Sequence, residues 1–169
     1  MLRFIGAAVI AVCGGALGLY FSAALKKRLL LITELEGALN IVREELSANL
    51  TPLPELFAMA SRQNTGPVSE FFGSVVLGFD EIAEKPFYDT WQEAANALPC
   101  LTPSEKDTLC RLGRTLGRYN TEDQVQTLGT VAARFAEFRR GAETRLSKEG
   151  KSRTVLGLAS GILLAIILL

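Results

Sequence analysis

Two apolar segments, one at each end of the chain, constrain its fold more than any other feature. Residues 4–25 form 22 consecutive positions without a formal charge, and residues 154–169 form another 16. At a rise of about 1.5 Å per residue, the first segment spans the roughly 30 Å hydrocarbon core of a bilayer. The second spans roughly 24 Å, which suffices if the bilayer thins or Arg153 extends to the interface. We therefore predict a transmembrane helix at residues 1–25, a cytoplasmic helical bundle at residues 26–153 and a second transmembrane helix at residues 154–169.

Basic residues next to both apolar segments predict the orientation. They lie on the inner flank of each segment: Lys26, Lys27, Arg28, Lys148, Lys151 and Arg153. Because cytoplasmic flanks of membrane helices are enriched in Lys and Arg, the central region is expected in the cytoplasm and both termini on the opposite side of the cell membrane. A secretory signal cleaved near Ala24 is the alternative, but its positive charge would precede a shorter apolar stretch.

The central region has the apolar periodicity of helices and no convincing period of two. One stripe is formed by Ile32, Leu35, Leu39, Val42 and Leu46. Helix starts are expected at Thr51 with Pro52 in the first turn, at Pro67, at Pro86, at a Thr102–Glu105 capping box and at a second box formed by Thr121 and Gln124. The fifth helix is expected to run to Arg118. The fold class predicted is all-α: an antiparallel cytoplasmic bundle of about six helices flanked by two transmembrane helices.

The residue inventory argues against catalysis. The chain contains no histidine, which removes the commonest general base and the Ser-His and Cys-His nucleophile pairs. It has no GxxxxGK[ST] loop for a triphosphate, and its three cysteines have no CxxC spacing. Neighbouring carboxylates such as Glu34 and Glu36 lie on the polar side of a helix, where a solvated surface explains them. We predict no enzymatic activity, no cofactor and no metal.

Charge is balanced in number but not in distribution. Residues 31–100 hold 11 acidic and 3 basic residues, whereas residues 101–153 hold 7 acidic and 11 basic residues. This asymmetry indicates either oppositely charged neighbouring helices or a charged docking face. Arg111, Arg114 and Arg118 are placed on one face of the fifth helix and are the candidate partner-binding residues. Pairing with acidic neighbours, a partner protein and phospholipid headgroups all remain open, while nucleic acid is disfavoured because no aromatic residues interleave them.

Glycines recur at a spacing of four. Gly14 and Gly18 in the first apolar segment and Gly157 and Gly161 in the second would allow close helix approach in a membrane, although glycine is also simply frequent there. Gly113 and Gly117 repeat the spacing on the fifth helix, where a larger residue is expected to force helices apart.

The order of these elements resembles the stage III sporulation protein AB family. The residues that carry the resemblance are the N-terminal apolar segment with its basic end, residues 50–56 (LTPLPEL) with Pro52, residues 71–72, Trp91, residues 112–117 (LGRTLG), Gln124 and the apolar C-terminal tail. The chain departs from the family's pattern at residues 119–120, where an acidic residue is usual after the second glycine.

The resemblance implies a function. The family is similar to the cytoplasmic domain of the F-type platform proteins of type II secretion and type IV pilus systems. It implies a non-catalytic platform in the mother-cell membrane facing the forespore, in a channel complex with other stage III proteins, partnered by a secretion-type ATPase called stage III sporulation protein AA. Homo-oligomers are possible in such an assembly. The alternatives are a platform subunit of another secretion or pilus machine and a small membrane pore.

Overall fold

A computed structural model describes the backbone at residues 2–80, 85–118 and 120–168 and side chains at residues 20, 23–79, 85–118 and 120–148, and this described part contains six helices. They are α1 (Leu2–Asn49), α2 (Leu53–Gln63), α3 (Gly66–Asp80), α4 (Phe87–Ala97), α5 (Pro103–Thr115) and α6 (Thr121–Leu168). The described backbone contains no strand, and the all-helical prediction is confirmed.

The chain divides into two compact units. One comprises Met1–Leu29 with Arg140–Leu169, and the other comprises Leu30–Arg139. Among the described residues, no helix has the length and apolar character needed to cross a bilayer. Nearly all of the two predicted membrane segments, including Gly14, Gly18, Gly157 and Gly161, lie outside the described side chains. The transmembrane assignment therefore stays a prediction.

Within the second unit, α1 and α6 run antiparallel. The Nε atom of Arg139 donates to Oε2 of Glu36 at 2.7 Å, and a Cβ added to Gly129 would lie 3.5 Å from Cδ of Arg43. A later residue of α1 therefore contacts an earlier residue of α6, as expected for antiparallel helices. The apolar stripe predicted for α1 is buried at all five positions, and Phe135 of α6 is fully buried as well.

Aromatic side chains hold α2, α3 and α4 together. Trp91 is fully buried, with its ring centroid 5.6 Å from that of Phe57 and 5.0 Å from that of Phe71, the latter in an edge-to-face arrangement. Ser61 and Ser69 add a reciprocal link between α2 and α3, because each hydroxyl donates to the other residue's carbonyl, at 2.9 and 2.7 Å. Side chains from three consecutive short helices therefore share one apolar centre.

Two predicted helix starts are wrong in detail. Helix α2 begins at Leu53 with Pro52 as its N-cap and no side-chain capping bond, so Thr51 does not cap it. Leu50, which follows α1, has φ of 52° and is 69% exposed. Helix α6 begins at Thr121 as expected, but the cap is Asn120, whose Oδ1 accepts from the Asp123 amide at 2.8 Å. At α6 the side chain of Asn120, one residue before the predicted Thr121, therefore caps the helix, whereas α2 begins without a side-chain cap.

The fifth helix starts as predicted and ends early. Thr102 and Glu105 form the capping box: the Thr102 amide donates to Oε2 of Glu105 at 2.7 Å, and the hydroxyl accepts from the Glu105 amide at 3.4 Å. The last helical residue is Thr115, and Gly117 beyond it has φ of 75°. Arg118 was predicted to lie on α5, but the helix has already ended before it.

Candidate functional site

A tryptophan fixes the position of α5 against α4. The indole Nε1 of Trp91 donates to the carbonyl of Leu109 at 2.8 Å, and the indole lies directly over Gly113. A Cβ added at Gly113 would come within 2.5 Å of Cγ and 2.8 Å of Nε1 of Trp91. Only glycine leaves room on this side of α5 for the indole to reach the carbonyl one turn back, so Gly113 sets the approach of the two helices.

The outer surface between these helices is a groove of about 440 Å³, which we call the α4–α5 groove. Its lining comprises Tyr88, Gln92, Asn96, Leu101, Pro103, Lys106, Asp107, Cys110, Arg111 and Arg114. Three of these side chains are basic and one is acidic. The groove therefore carries net positive charge on a surface that also offers amide and aromatic groups to a ligand.

Arg114 is held in place by an aromatic neighbour. Its Nε donates to the hydroxyl of Tyr88 at 3.1 Å, and its guanidinium carbon lies 5.2 Å from the centroid of the Tyr88 ring. The bond to the Tyr88 hydroxyl raises the pKa of Arg114 further above its already high ordinary value. Arg114 is exposed and already oriented, which are the properties needed to bind a carboxylate or phosphate bidentately.

The other basic groups of the groove are tethered locally. The Nε of Arg111 donates to Oδ2 of Asp107 at 2.8 Å, a contact between exposed side chains one turn apart on α5. Lys106 donates from Nζ to the carbonyl of Asn96 on α4 at 2.5 Å. Surface pairs of this kind contribute little to stability, so their main effect is to orient the charges.

The three predicted arginines do not form one cluster on α5. Arg111 and Arg114 line the α4–α5 groove together, whereas Arg118 follows the left-handed Gly117 and does not line it. The Arg118 amide instead donates to the Thr115 carbonyl at 3.3 Å as the chain turns away. A helix that ends at Thr115 cannot extend its basic face to position 118, and this part of the prediction is wrong.

Gly117 and Gln124 cooperate in the turn between α5 and α6. No atom lies within 4 Å of a Cβ added at Gly117, so its glycine is explained by its positive φ and not by close helix packing. The amide of Gly117 donates to Oε1 of Gln124, which is 8% exposed, at 3.3 Å. Sequence reasoning assigned Gln124 to a capping box, whereas its side chain satisfies a backbone group across the turn.

Cys110, which lines the α4–α5 groove, has low nucleophilic reactivity. Burial raises the pKa of Cys110, and the nearby carboxylate of Asp107 raises it further. A smaller thiolate fraction makes Cys110 a poor nucleophile at neutral pH. Across the described residues, no group of histidine, cysteine or acidic side chains has the arrangement needed to hold a metal ion.

Sequence reasoning missed Tyr88 and Lys106. Tyr88 precedes the buried Trp91 on α4 and reaches across to α5, a contact that only the three-dimensional structure reveals. The pairing of Arg111 with Asp107 could have been found, because a separation of four residues places oppositely charged side chains together on a helix.

The described residues form an all-helical fold with a basic surface groove between α4 and α5. The sequence model of the stage III sporulation protein AB family matches residues 3–169, and the chain belongs to that family. A solved structure described as stage III sporulation protein AB has a TM-score of 0.62 and 22% sequence identity, and the match covers 71% of this chain and 96% of that chain. At this identity the likeness supports the shared fold. A search of curated protein sequences returned no match.

Proposed function

We propose that this protein is a non-catalytic membrane platform of the channel complex between mother cell and forespore. It would sit in the mother-cell membrane with residues 26–153 in the cytoplasm, associate with other stage III proteins and dock the secretion-type ATPase called stage III sporulation protein AA. Membership in a sporulation family supports the setting. The ATPase supplies the chemical energy, and this chain contributes position.

The observation that carries the docking proposal is the fixed charge of the α4–α5 groove. Arg114 is oriented by Tyr88 and Arg111 by Asp107, and both guanidinium groups remain exposed. Oriented charges lose little side-chain freedom when a partner binds, and they steer an acidic partner toward the groove. The groove is accordingly the surface that we assign to the ATPase.

Titrating the ATPase against the full-length protein in nanodiscs tests the assignment. The double variant Arg111→Glu with Arg114→Glu should weaken binding at least tenfold, since it replaces attraction with repulsion at the centre of the contact. Arg62→Glu, which reverses an exposed charge in the last turn of α2, is the matched control and should bind normally. Unchanged binding by the double variant, or none by the wild type, would refute the assignment.

The topology is tested separately. Protease added to right-side-out vesicles should leave residues 26–153 intact, because the proposal places them behind the membrane. Digestion of this region, or its recovery as a secreted soluble product, would contradict the membrane platform itself, independently of what binds the groove.

A further inference from the structure

Two contacts between α4 and α5 fix the register of the α4–α5 groove. At one end the Nε of Arg114 donates to the hydroxyl of Tyr88 at 3.1 Å, and at the other the Nζ of Lys106 donates to the carbonyl of Asn96 at 2.5 Å. Tyr88 and Asn96 are eight residues apart on α4, and Lys106 and Arg114 are eight residues apart on α5 in the opposite order. The helices are therefore antiparallel here, and the two contacts lie about 12 Å apart along either helix.

Neutral groups hold both of these cations, so neither positive charge is cancelled. A hydroxyl and a backbone carbonyl orient the side chains, and no described carboxylate forms an ion pair with Lys106 or Arg114. Arg114 bonds to the hydroxyl through Nε alone, which leaves both terminal nitrogens of the guanidinium for a ligand, and Lys106 keeps two of its three donors. The groove thus presents two positive charges at a fixed separation.

The other charges near the groove pair among themselves. Arg111 and Asp107, which also line it, form an ion pair at 2.8 Å. On α4, Glu93 pairs with Lys85 at 2.5 Å, and the exposed Asp89 does not line the groove. The lining therefore keeps an excess of two positive charges, and Lys106 and Arg114 supply them.

Neutral hydrogen-bonding groups lie between the two cations. Gln92 on α4 and Cys110 on α5 are each four residues from both ends of the register, so they mark its middle. The side-chain amides of Gln92 and Asn96 are exposed, and no described residue bonds to them. Amide side chains carry the same donors and acceptors as a peptide backbone. They can therefore pair with the free N–H and C=O groups of an extended segment, whereas a helix has already used its own.

We propose that the α4–α5 groove binds an extended segment with two carboxylates four residues apart, and that the ATPase supplies this segment. In an extended chain, side chains four residues apart point to the same side and lie about 13 Å apart, close to the separation of the two cations. The side chain midway between the carboxylates would face Gln92 and Cys110 and should be uncharged. This inference rests on the docking proposed above and adds the conformation and charge spacing of the partner segment.

Short fluorescent peptides titrated against the full-length protein in nanodiscs at low salt test the proposal. Two peptides share one composition, two aspartates among serines and threonines, with the aspartates four residues apart in the spaced peptide and adjacent in the other. A third, alanine-rich peptide favours a helix and carries its aspartates eight positions apart, which gives a similar separation in helical form. The spaced peptide should bind roughly threefold or more tightly than the adjacent one, because only it reaches both cations, and it should displace the ATPase.

Variants of the protein separate the spacing effect from general charge attraction. Lys106→Gln should remove the advantage of the spaced peptide and leave the adjacent peptide nearly unaffected, since one cation remains. Gln92→Leu should weaken the spaced peptide, because the extended backbone loses an amide partner. Arg62→Gln, which removes an exposed cation on α2, is the matched control and should keep the full preference. Circular dichroism checks that each variant remains helical.

The outcomes distinguish this inference from the proposed function. Equal binding of the spaced and adjacent peptides, tighter binding of the helical peptide, or a preference that survives Lys106→Gln would overturn the inference even if the ATPase docks. Retention of the spacing preference without any binding of the ATPase would instead refute the proposed docking and leave the ligand class of the groove standing.

Discussion

Replacing Gly113 by alanine should destabilise the protein, although alanine is the better helix former. The new methyl group would lie 2.8 Å from the indole Nε1 of Trp91 and closer still to its ring carbons, so the indole has to move. Overpacking of this kind costs about 2 kcal/mol. Displacement also breaks the buried bond to the Leu109 carbonyl, which adds about 1 kcal/mol. The helix-propensity gain of alanine returns about 1 kcal/mol, which leaves a net loss of about 2 kcal/mol.

Urea unfolding of the full-length chain, followed by the emission of its single tryptophan and by circular dichroism, measures the effect of Gly113→Ala. Gly129→Ala is the matched control, because its Cβ would lie at an ordinary contact distance of 3.5 Å from Arg43. This variant should raise the free energy of unfolding by up to about 1 kcal/mol. In a Trp91→Leu background, followed by circular dichroism alone, Gly113→Ala should no longer lower the free energy of unfolding appreciably. The reasoning fails if Gly113→Ala is as stable as the wild type or behaves like the control.

Three further changes test other parts of the structure. Leu50→Gly should raise the unfolding free energy by about 1 kcal/mol, because glycine adopts a positive φ without strain; a lower melting temperature would contradict this. In thermal melts, Gln124→Ala should lower the free energy of unfolding by about 1 to 2 kcal/mol, because the Gly117 amide loses its acceptor. Gln124→Glu should lower it less, since glutamate keeps an acceptor oxygen; equal losses for the two variants would contradict this bond. At mildly alkaline pH, mass-mapped alkylation should label the exposed Cys100 before Cys110, because the pKa of Cys110 is raised. Asp107→Asn should lower the pKa of Cys110 and speed its labelling. Labelling of Cys110 before Cys100 would be inconsistent with the burial of Cys110.

The helical framework was predictable because its signals are local. The apolar stripe of α1 follows the helical period, and the Thr102–Glu105 capping box needs only a spacing of three residues, so both were confirmed. Errors arose where two local signals competed. A threonine before Pro52 and a threonine at position 121 both look like N-caps, but the chain conformation places the cap at Pro52 and Asn120 instead.

The candidate site was predictable only in part. The helical period correctly places Arg111 and Arg114 together. It also places Arg118 on the same face, because no residue before Gly117 signals that α5 ends at Thr115. The contact between Tyr88 and Arg114 joins residues 26 positions apart, and helical periodicity carries no information about such a pair. Likewise, the spacing of Gly113 and Gly117 suggested one shared cause, whereas one is required by the Trp91 indole and the other by backbone conformation.

The bond between Trp91 and the Leu109 carbonyl fixes how far α5 can turn about its own axis. A helix that cannot roll keeps its outward side chains aimed in one direction before any partner arrives. Recognition at this surface would then need no rearrangement, and the speed of capture would depend on how ions in solution shield the approaching charges. If the proposed docking occurs at this surface, its rate should therefore fall as the salt concentration rises.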